Sequence, residues 1–223
     1  MQMLRSVIFD MDGTLLDSMQ MWHELDLRFL RENGIEPPAD ISEIVKKMTV
    51  DRSSAYFVER FSLPMTPEDV KRRVEEIAAE EYRLHLQLKP GAADYLKTLA
   101  DMGIPCALAT VNYPSLVEAA LRRLGVWDCF RVILTPEDDA AGKHTPTLYL
   151  RAAAALGTSP AETAVIEDAR YAAETAAAAG FYTVGFYDDA GAADWDAMQQ
   201  ICRRTAGSWQ ELADSDFLSM FCK

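Results

Sequence analysis

A few residues in this chain have types and spacings suited to chemistry. Asp10 and Asp12 flank Met11 and run into Gly13-Thr14; Thr110 and Asn112 bracket Val111; Lys143 follows Gly142; Glu167 and Asp168 are adjacent. Together they suit phosphoryl transfer. A carboxylate can attack phosphorus in line and form an acyl-phosphate. A second carboxyl two residues later can protonate the leaving oxygen, then deprotonate water in the second half-reaction. Residues i and i+2 of an extended segment project the same way, so Asp10 and Asp12 could reach one substrate. Gly13 allows a sharp turn and brings backbone N–H groups near phosphoryl oxygens. Thr110 and Asn112 are the candidates to bind phosphoryl oxygens together with Lys143, which can neutralise the charge that builds during transfer. Carboxylate and phosphate are both negative, so a cation must stand between them. Mg²⁺ is the expected cofactor, with Asp10 and Asp168 as hard oxygen ligands.

These groups can cooperate only if the fold gathers them. Residues 6–10 form a short apolar run with β-branched members, as a fully buried strand requires. Residues 105–110, 131–135, 163–167 and 182–186 read the same way, separated by helical stretches at about 91–102, 114–124, 146–156 and 169–179 that mostly stop at Gly. Helix is also expected over 192–204. Strands alternating with helices of this length predict a parallel α/β sheet. Ligands of such sheets bind beyond the carboxyl ends of the strands, where the candidate residues fall. Residues 18–86 contain helical patterns only, at about 18–34, 40–47, 51–61 and 66–86. In the last of these, Thr66-Pro67-Glu68-Asp69 supplies a capping residue, a Pro at the first helical position and first-turn acids. The expected architecture is a doubly wound core, residues 1–17 and 87–223, with an all-helical cap at 18–86. The tail from 214 onward carries Phe217, Leu218, Met220 and Phe221 and is expected to pack on the core.

In order and spacing these segments resemble the haloacid dehalogenase superfamily in its phosphatase and β-phosphoglucomutase-like branch. The first motif is 10–18, Asp-Met-Asp-Gly-Thr-Leu-Leu-Asp-Ser. The second is Ala109-Thr110-Val111-Asn112, the third begins Gly142-Lys143, and the fourth is Val165-Ile166-Glu167-Asp168-Ala169. The resemblance spans nearly the whole chain and implies a Rossmann-like core, a helical cap and an aspartyl-phosphate mechanism. It implies Asp10 as nucleophile and metal ligand, and Asp12 as acid/base that also gives its backbone carbonyl to the metal. It further implies Thr110 and Lys143 on the phosphoryl group and Asp168 on the metal, with Glu167 near the metal or its waters. The chain departs from the family pattern at Pro146-Thr147, where Pro-Asp is usual, and at Ala169-Arg170-Tyr171-Ala172, where Ser and Gly are usual. These positions bear on substrate detail more than on chemistry.

The expected reaction is hydrolysis of a small-molecule phosphate monoester. A sugar-phosphate mutase is the alternative; such mutases carry a His on the first cap helix, where Trp22 stands here with His23 one residue off, about 100° around the helix. A dehalogenase would have no need of Asp12, and a phosphonate hydrolase would need a Lys that the first cap helix lacks. A non-catalytic module that kept the fold is the alternative from another class. Asp17 reads as a helix cap or a structural acceptor. Arg52, Lys46, Lys47 and His23 in the cap read as solvated or as substrate contacts, and Trp22 and Met19 as cap packing.

Across 223 residues, 49% apolar and 26% charged, the formal charge is −13. Such a chain can build a sizeable core. It has no electrostatic reason to approach nucleic acid or an anionic membrane. Cys106, Cys129, Cys202 and Cys222 form no CxxC pair and read as buried or incidental thiols of a reducing compartment. With no signal peptide or membrane span in view, a cytoplasmic location is expected. Oligomeric state is left open.

Overall fold

The computed structural model describes residues 3–45, 48, 50–139 and 141–221. Strands β1 (Ser6–Phe9), β2 (Cys106–Ala109), β3 (Phe130–Leu134), β4 (Thr163–Glu167), β5 (Tyr182–Phe186) and β6 (Arg204–Ala206) form one sheet in the order β3-β2-β1-β4-β5-β6. Every pairing is parallel. This is a Rossmann-like, doubly wound sheet, and its strand order reverses between β1 and β4. Every residue of β1, β2, β4 and β5 is buried. That is why these strands are continuous apolar runs rather than alternating ones: crossover helices cover both faces. The helices of this unit are α5 (Ala92–Asp101), α6 (Pro114–Arg123), α7 (Thr147–Leu156), α8 (Arg170–Ala178), α9 (Trp195–Ile201) and α10 (Trp209–Asp214). Small residues on α7 and α8, such as Ala152, Ala153 and Ala176, bring those helices close to Ile8, Val165 and Leu134 of the sheet.

One expectation needs correcting. The helix predicted to reach residue 204 ends at Ile201, and Arg204 begins the sixth strand. Cys202 turns the backbone to an extended conformation (φ −81°, ψ 145°), and Arg203 donates its N–H to the Thr183 carbonyl at 3.0 Å. A three-residue edge strand is too short for an alternating pattern to show. Beyond it, Phe217 and Phe221 are buried, with Phe217 against Tyr182 at 5.9 Å between ring centroids. Leu4 donates its N–H to Met220 at 2.9 Å. The tail is thereby held to the sheet unit.

By its internal packing the chain divides into two compact units, Met1–Asp17 with Leu86–Lys223, and Ser18–His85. Within the second lie α1 (Met19–Glu32), α2 (Ile41–Val45), α3 (Val50–Phe61) and α4 (Pro67–Leu84); no strand occurs among its described residues. Leu25, Phe29, Ile41, Phe57, Val70 and Ile77 build its core. Thr66 caps α4 as expected: its hydroxyl accepts the Asp69 N–H at 3.2 Å, and Asp69 accepts the Thr66 N–H at 3.1 Å. Ser18, not Asp17, occupies the N-cap position of α1, and its side chain makes no capping bond. Trp22 donates its indole N–H to the Tyr82 hydroxyl at 3.0 Å, while His23 and Arg52 are exposed. Lys46, Lys47 and Cys222 lie outside the described residues. Cys106 and Cys202 are buried free thiols, pushed up to about 12 and about 11 mainly by that burial; Cys129, also free, is half-buried.

Candidate active site

Each of the predicted residues that the sheet can gather stands at the carboxyl edge near the strand reversal. Asp10 directly follows β1 and extends the ladder by donating its N–H to Ile166 at 3.0 Å. The chain then turns sharply: Gly13 has φ 85°, a conformation that favours glycine, and donates its N–H to Leu16 at 3.0 Å. Thr110 follows β2 and bonds Leu134 in the same way at 3.0 Å. Lys143 sits in a short turn, Gly142–His144, before α7. Gly142 has φ 58°, and a β-carbon there would meet Val111 Cγ1 at 3.2 Å, so the turn that carries Lys143 lies tight against the loop after β2. Glu167 ends β4 and Asp168 follows it.

The side chains converge. The Lys143 ammonium donates to Asp10 Oδ1 and, at 2.5 Å, to Glu167 Oε1. Asp10, Lys143 and Glu167 are 6%, 2% and 1% exposed, so these charges interact in a low-dielectric interior. Tyr149, on the first turn of α7, donates its hydroxyl to the same Glu167 oxygen at 2.6 Å. Asp168 receives the Thr14 hydroxyl at 3.4 Å. Asp12 points elsewhere: its Oδ2 accepts from Asn112 Nδ2 at 3.0 Å, and Asn112 Oδ1 accepts the Tyr113 N–H at 2.8 Å. Thr110 accepts the Asn112 N–H at 3.1 Å. Asn112 thus holds the Asp12 carboxylate, while Lys143 bridges Asp10 and Glu167.

Electrostatics follow from burial. The Asp10 carboxyl is pushed up to about 6, chiefly by burial; the Lys143 charge opposes the shift and Glu167 adds to it. Asp168 is raised well above the carboxylate range by burial, then by the Asp10 and Glu167 charges. Burial pulls Lys143 down, but Asp10 and Glu167 together outweigh it, and the ammonium is retained.

One ligand atom from each of Asp10, Glu167 and Asp168 lies within 4.8 Å of the others. With all three ionised, three carboxylates would face one ammonium, two positive charges short of neutrality. Asp10 Oδ2 and Glu167 Oε2 are buried without a hydrogen-bond partner, a costly condition for carboxylate oxygens. An all-oxygen donor set with that charge deficit fits a hard divalent cation. The Asp12 side chain is outside this cluster.

Two neighbours escaped the sequence reading. Tyr149 follows Lys143 by six residues and carries no role in the sequence; a buried tyrosine needs a partner for its hydroxyl, and Glu167 is that partner. Thr14 lies within the first motif without an assigned role, yet it reaches Asp168, and its carbonyl accepts the Trp209 indole N–H at 3.3 Å.

A buried Asp directly after the central strand, a lysine paired with it and acids at the end of the neighbouring strand thus meet on a Rossmann-like sheet. The chain belongs to the haloacid dehalogenase-like hydrolases, whose family model matches residues 4–180. It is 30% identical to YhcW of Bacillus subtilis (strain 168), which carries a phosphatase name, over 74% of this chain and 76% of that one. It is also 30% identical to the β-phosphoglucomutase of the same organism, over 82% and 83% of the two chains. The solved structure of a HAD family hydrolase from Deinococcus radiodurans R1, with bound phosphate and sodium, superimposes with a TM-score of 0.77 at 24% identity, covering 100% of this chain and 99% of that one. Among the described residues no helix is long and apolar enough to cross a membrane.

Proposed function

We propose that this hydrolase is a Mg²⁺-dependent phosphatase that cleaves a small-molecule phosphate monoester through an aspartyl-phosphate on Asp10. The observation that carries the reading is the division of labour between two carboxylates two residues apart. Asp10 is buried against the Lys143 ammonium, and Asp12 is held apart by Asn112. One carboxylate can therefore attack while the other handles protons.

In this mechanism an Asp10 oxygen forms a bond to phosphorus as the ester P–O bond breaks, and the leaving oxygen takes the proton of Asp12. Water then attacks phosphorus, Asp12 accepts its proton, and the Asp10–phosphorus bond breaks to release inorganic phosphate. Thr110 and Lys143 bind phosphoryl oxygens, with Asn112 orienting Asp12 beside them. Asp10, Asp168 and the main-chain carbonyl of Asp12, with Glu167 beside them, would hold the metal. When bound, the ion offsets the charge shared by carboxylate and phosphate. The Tyr149 hydroxyl and Lys143 fix Glu167 and exclude water from its inner face. The helical unit Ser18–His85 is proposed as the cap that selects the leaving group. The protein is proposed to work in the cytoplasm on phosphorylated metabolites.

The alternative, a sugar-phosphate mutase, draws support from the named β-phosphoglucomutase relative. Against it stands Trp22, whose indole is engaged by Tyr82 at the position where resemblance to those mutases expects His. A phosphate-release screen over sugar phosphates, polyol phosphates, nucleotides and phosphoglycolate tests the reading. Release should fall at least about a thousandfold in Asp10→Asn and should require added Mg²⁺ after chelation. Isomerisation stimulated by glucose 1,6-bisphosphate without net phosphate release would make it a mutase instead.

A further inference from the structure

Two segments of the site depart from the family pattern, the one after Lys143 and the one after Asp168, and they meet in space. The His144 and Tyr171 rings stack with centroids 4.6 Å apart and planes 25° apart. His144 directly follows Lys143, and Tyr171 lies three residues beyond Asp168 on the first turn of α8. The stack therefore links the backbone segments that carry the lysine and the last acid. Tyr171 is 39% exposed, so it is neither a core residue nor a fully solvated one. Its phenol is raised above its ordinary range, first by burial; the Lys143 charge opposes this, and Glu167, Asp10 and Asp168 add to it. Lys143, Glu167, Asp10 and Asp168 thus lie within electrostatic reach, and the phenol keeps its proton. Among the described residues no group bonds the Tyr171 hydroxyl. A neutral donor with no acceptor among the described residues, its ring stacked on the residue after Lys143, is placed to serve a ligand.

We infer that Tyr171 is a substrate-binding residue that donates its phenolic hydrogen to a phosphoryl oxygen of the bound ester, and that His144 is a positioning residue that holds the ring for it. The inference rests on the phosphatase reading above and adds to it a donor from the helix that follows Asp168. Planarity gives the pair its rigidity: a stacked ring gives up little conformational freedom when its hydroxyl binds.

The test keeps the stack and removes the hydroxyl. Tyr171→Phe should raise KM for p-nitrophenyl phosphate, and the dissociation constant of inorganic phosphate measured by calorimetry, by about tenfold, the scale of one hydrogen bond to a charged group. Its melting temperature should stay at the parent's. His144→Ala should shift both constants in the same direction, and His144→Phe, which restores a stacking ring, should return them to within about twofold of the parent. The inference is overturned if Tyr171→Phe leaves both constants within twofold of the parent. It is equally overturned if His144→Phe fails to rescue. Asp10→Asn, assayed alongside, separates the two readings. Activity surviving in Asp10→Asn defeats the phosphatase mechanism, whereas a silent Tyr171→Phe in an enzyme that Asp10→Asn abolishes defeats only this inference.

Discussion

Lys143 in the sheet unit and Arg28 in the helical unit each hold more than one carboxylate, yet their surroundings differ. The Lys143 side chain and its partners Asp10 and Glu167 are 2%, 7% and 2% exposed. Arg28 reaches Glu80 at 2.8 Å, Glu32 at 3.2 Å and Glu81, but its side chain is 36% exposed and Glu80 is 42% exposed. Arg73 extends that second network to Glu32 at 2.9 Å and Glu76 at 3.1 Å. Water screens the helical network, and its pairs each contribute little. The sheet network has no water to fall back on: removing one member leaves an uncompensated charge inside the protein. Like groups therefore make a solvent-screened network in one unit and a buried one in the other.

Lys143→Met tests the contrast hardest. It should cost about 3–5 kcal/mol of stability in metal-free buffer, read by urea denaturation, together with nearly all phosphate release. If Mg²⁺ restores the stability and not the activity, the ion and the lysine share the electrostatic task but not the chemical one. Arg28→Ala should cost about 1 kcal/mol or less, and 1 M salt should erase most of the difference from the parent. A loss as large as that of Lys143→Met would void the contrast. The smallest effect concerns pH. The Asp69 carboxyl is lowered to about 2 by the Thr66 hydroxyl, the Thr66 N–H and Arg72, in that order. A carboxyl lowered on folding stabilises above its unfolded value, 3.8, and that contribution fades as pH falls toward 2. Thermal melts of Asp69→Asn should therefore lie below the parent at pH 7, with the gap narrowing below pH 4.

The same contrast explains what could be read from the chain. β1 to β5 were visible because strands buried on both faces are short apolar runs between glycine-stopped helices. β6 was not: Arg204-Thr205-Ala206 becomes a strand only because β5 offers its free edge, a tertiary fact. In α4 the capping signal is local, and Thr66 and Asp69 behave as their spacing says. At the site, Asp10, Thr110, Glu167 and Asp168 were legible since each sits at the end of a strand, where topology fixes its neighbours. Lys143 lay in a loop and was found only through Gly142 and Pro146 around it. Tyr149 and Thr14 were missed as site members because their contacts with Glu167 and Asp168 are made only by the folded sheet. Asp12 and Asn112 were assigned to one centre, but the bond between them depends on how two loops lie, which spacing alone does not encode.

The register of β1 has a consequence for how the molecule assembles. Val7 pairs with Cys106 on one side and Ala164 on the other, so the central strand leaves the ribosome long before either neighbour exists. Residues 18–85, which form a compact unit of their own, are also made before either neighbour. Leu16 and Leu88 pair antiparallel, and Asp17 bonds Gln87 at 3.0 Å while Lys89 bonds Leu15 at 2.8 Å. Closing this ribbon brings β1 back beside the chain that leads into β2. Synthesis thus passes through a stage in which an apolar strand has no partner, and a strand in that condition is exposed to aggregation.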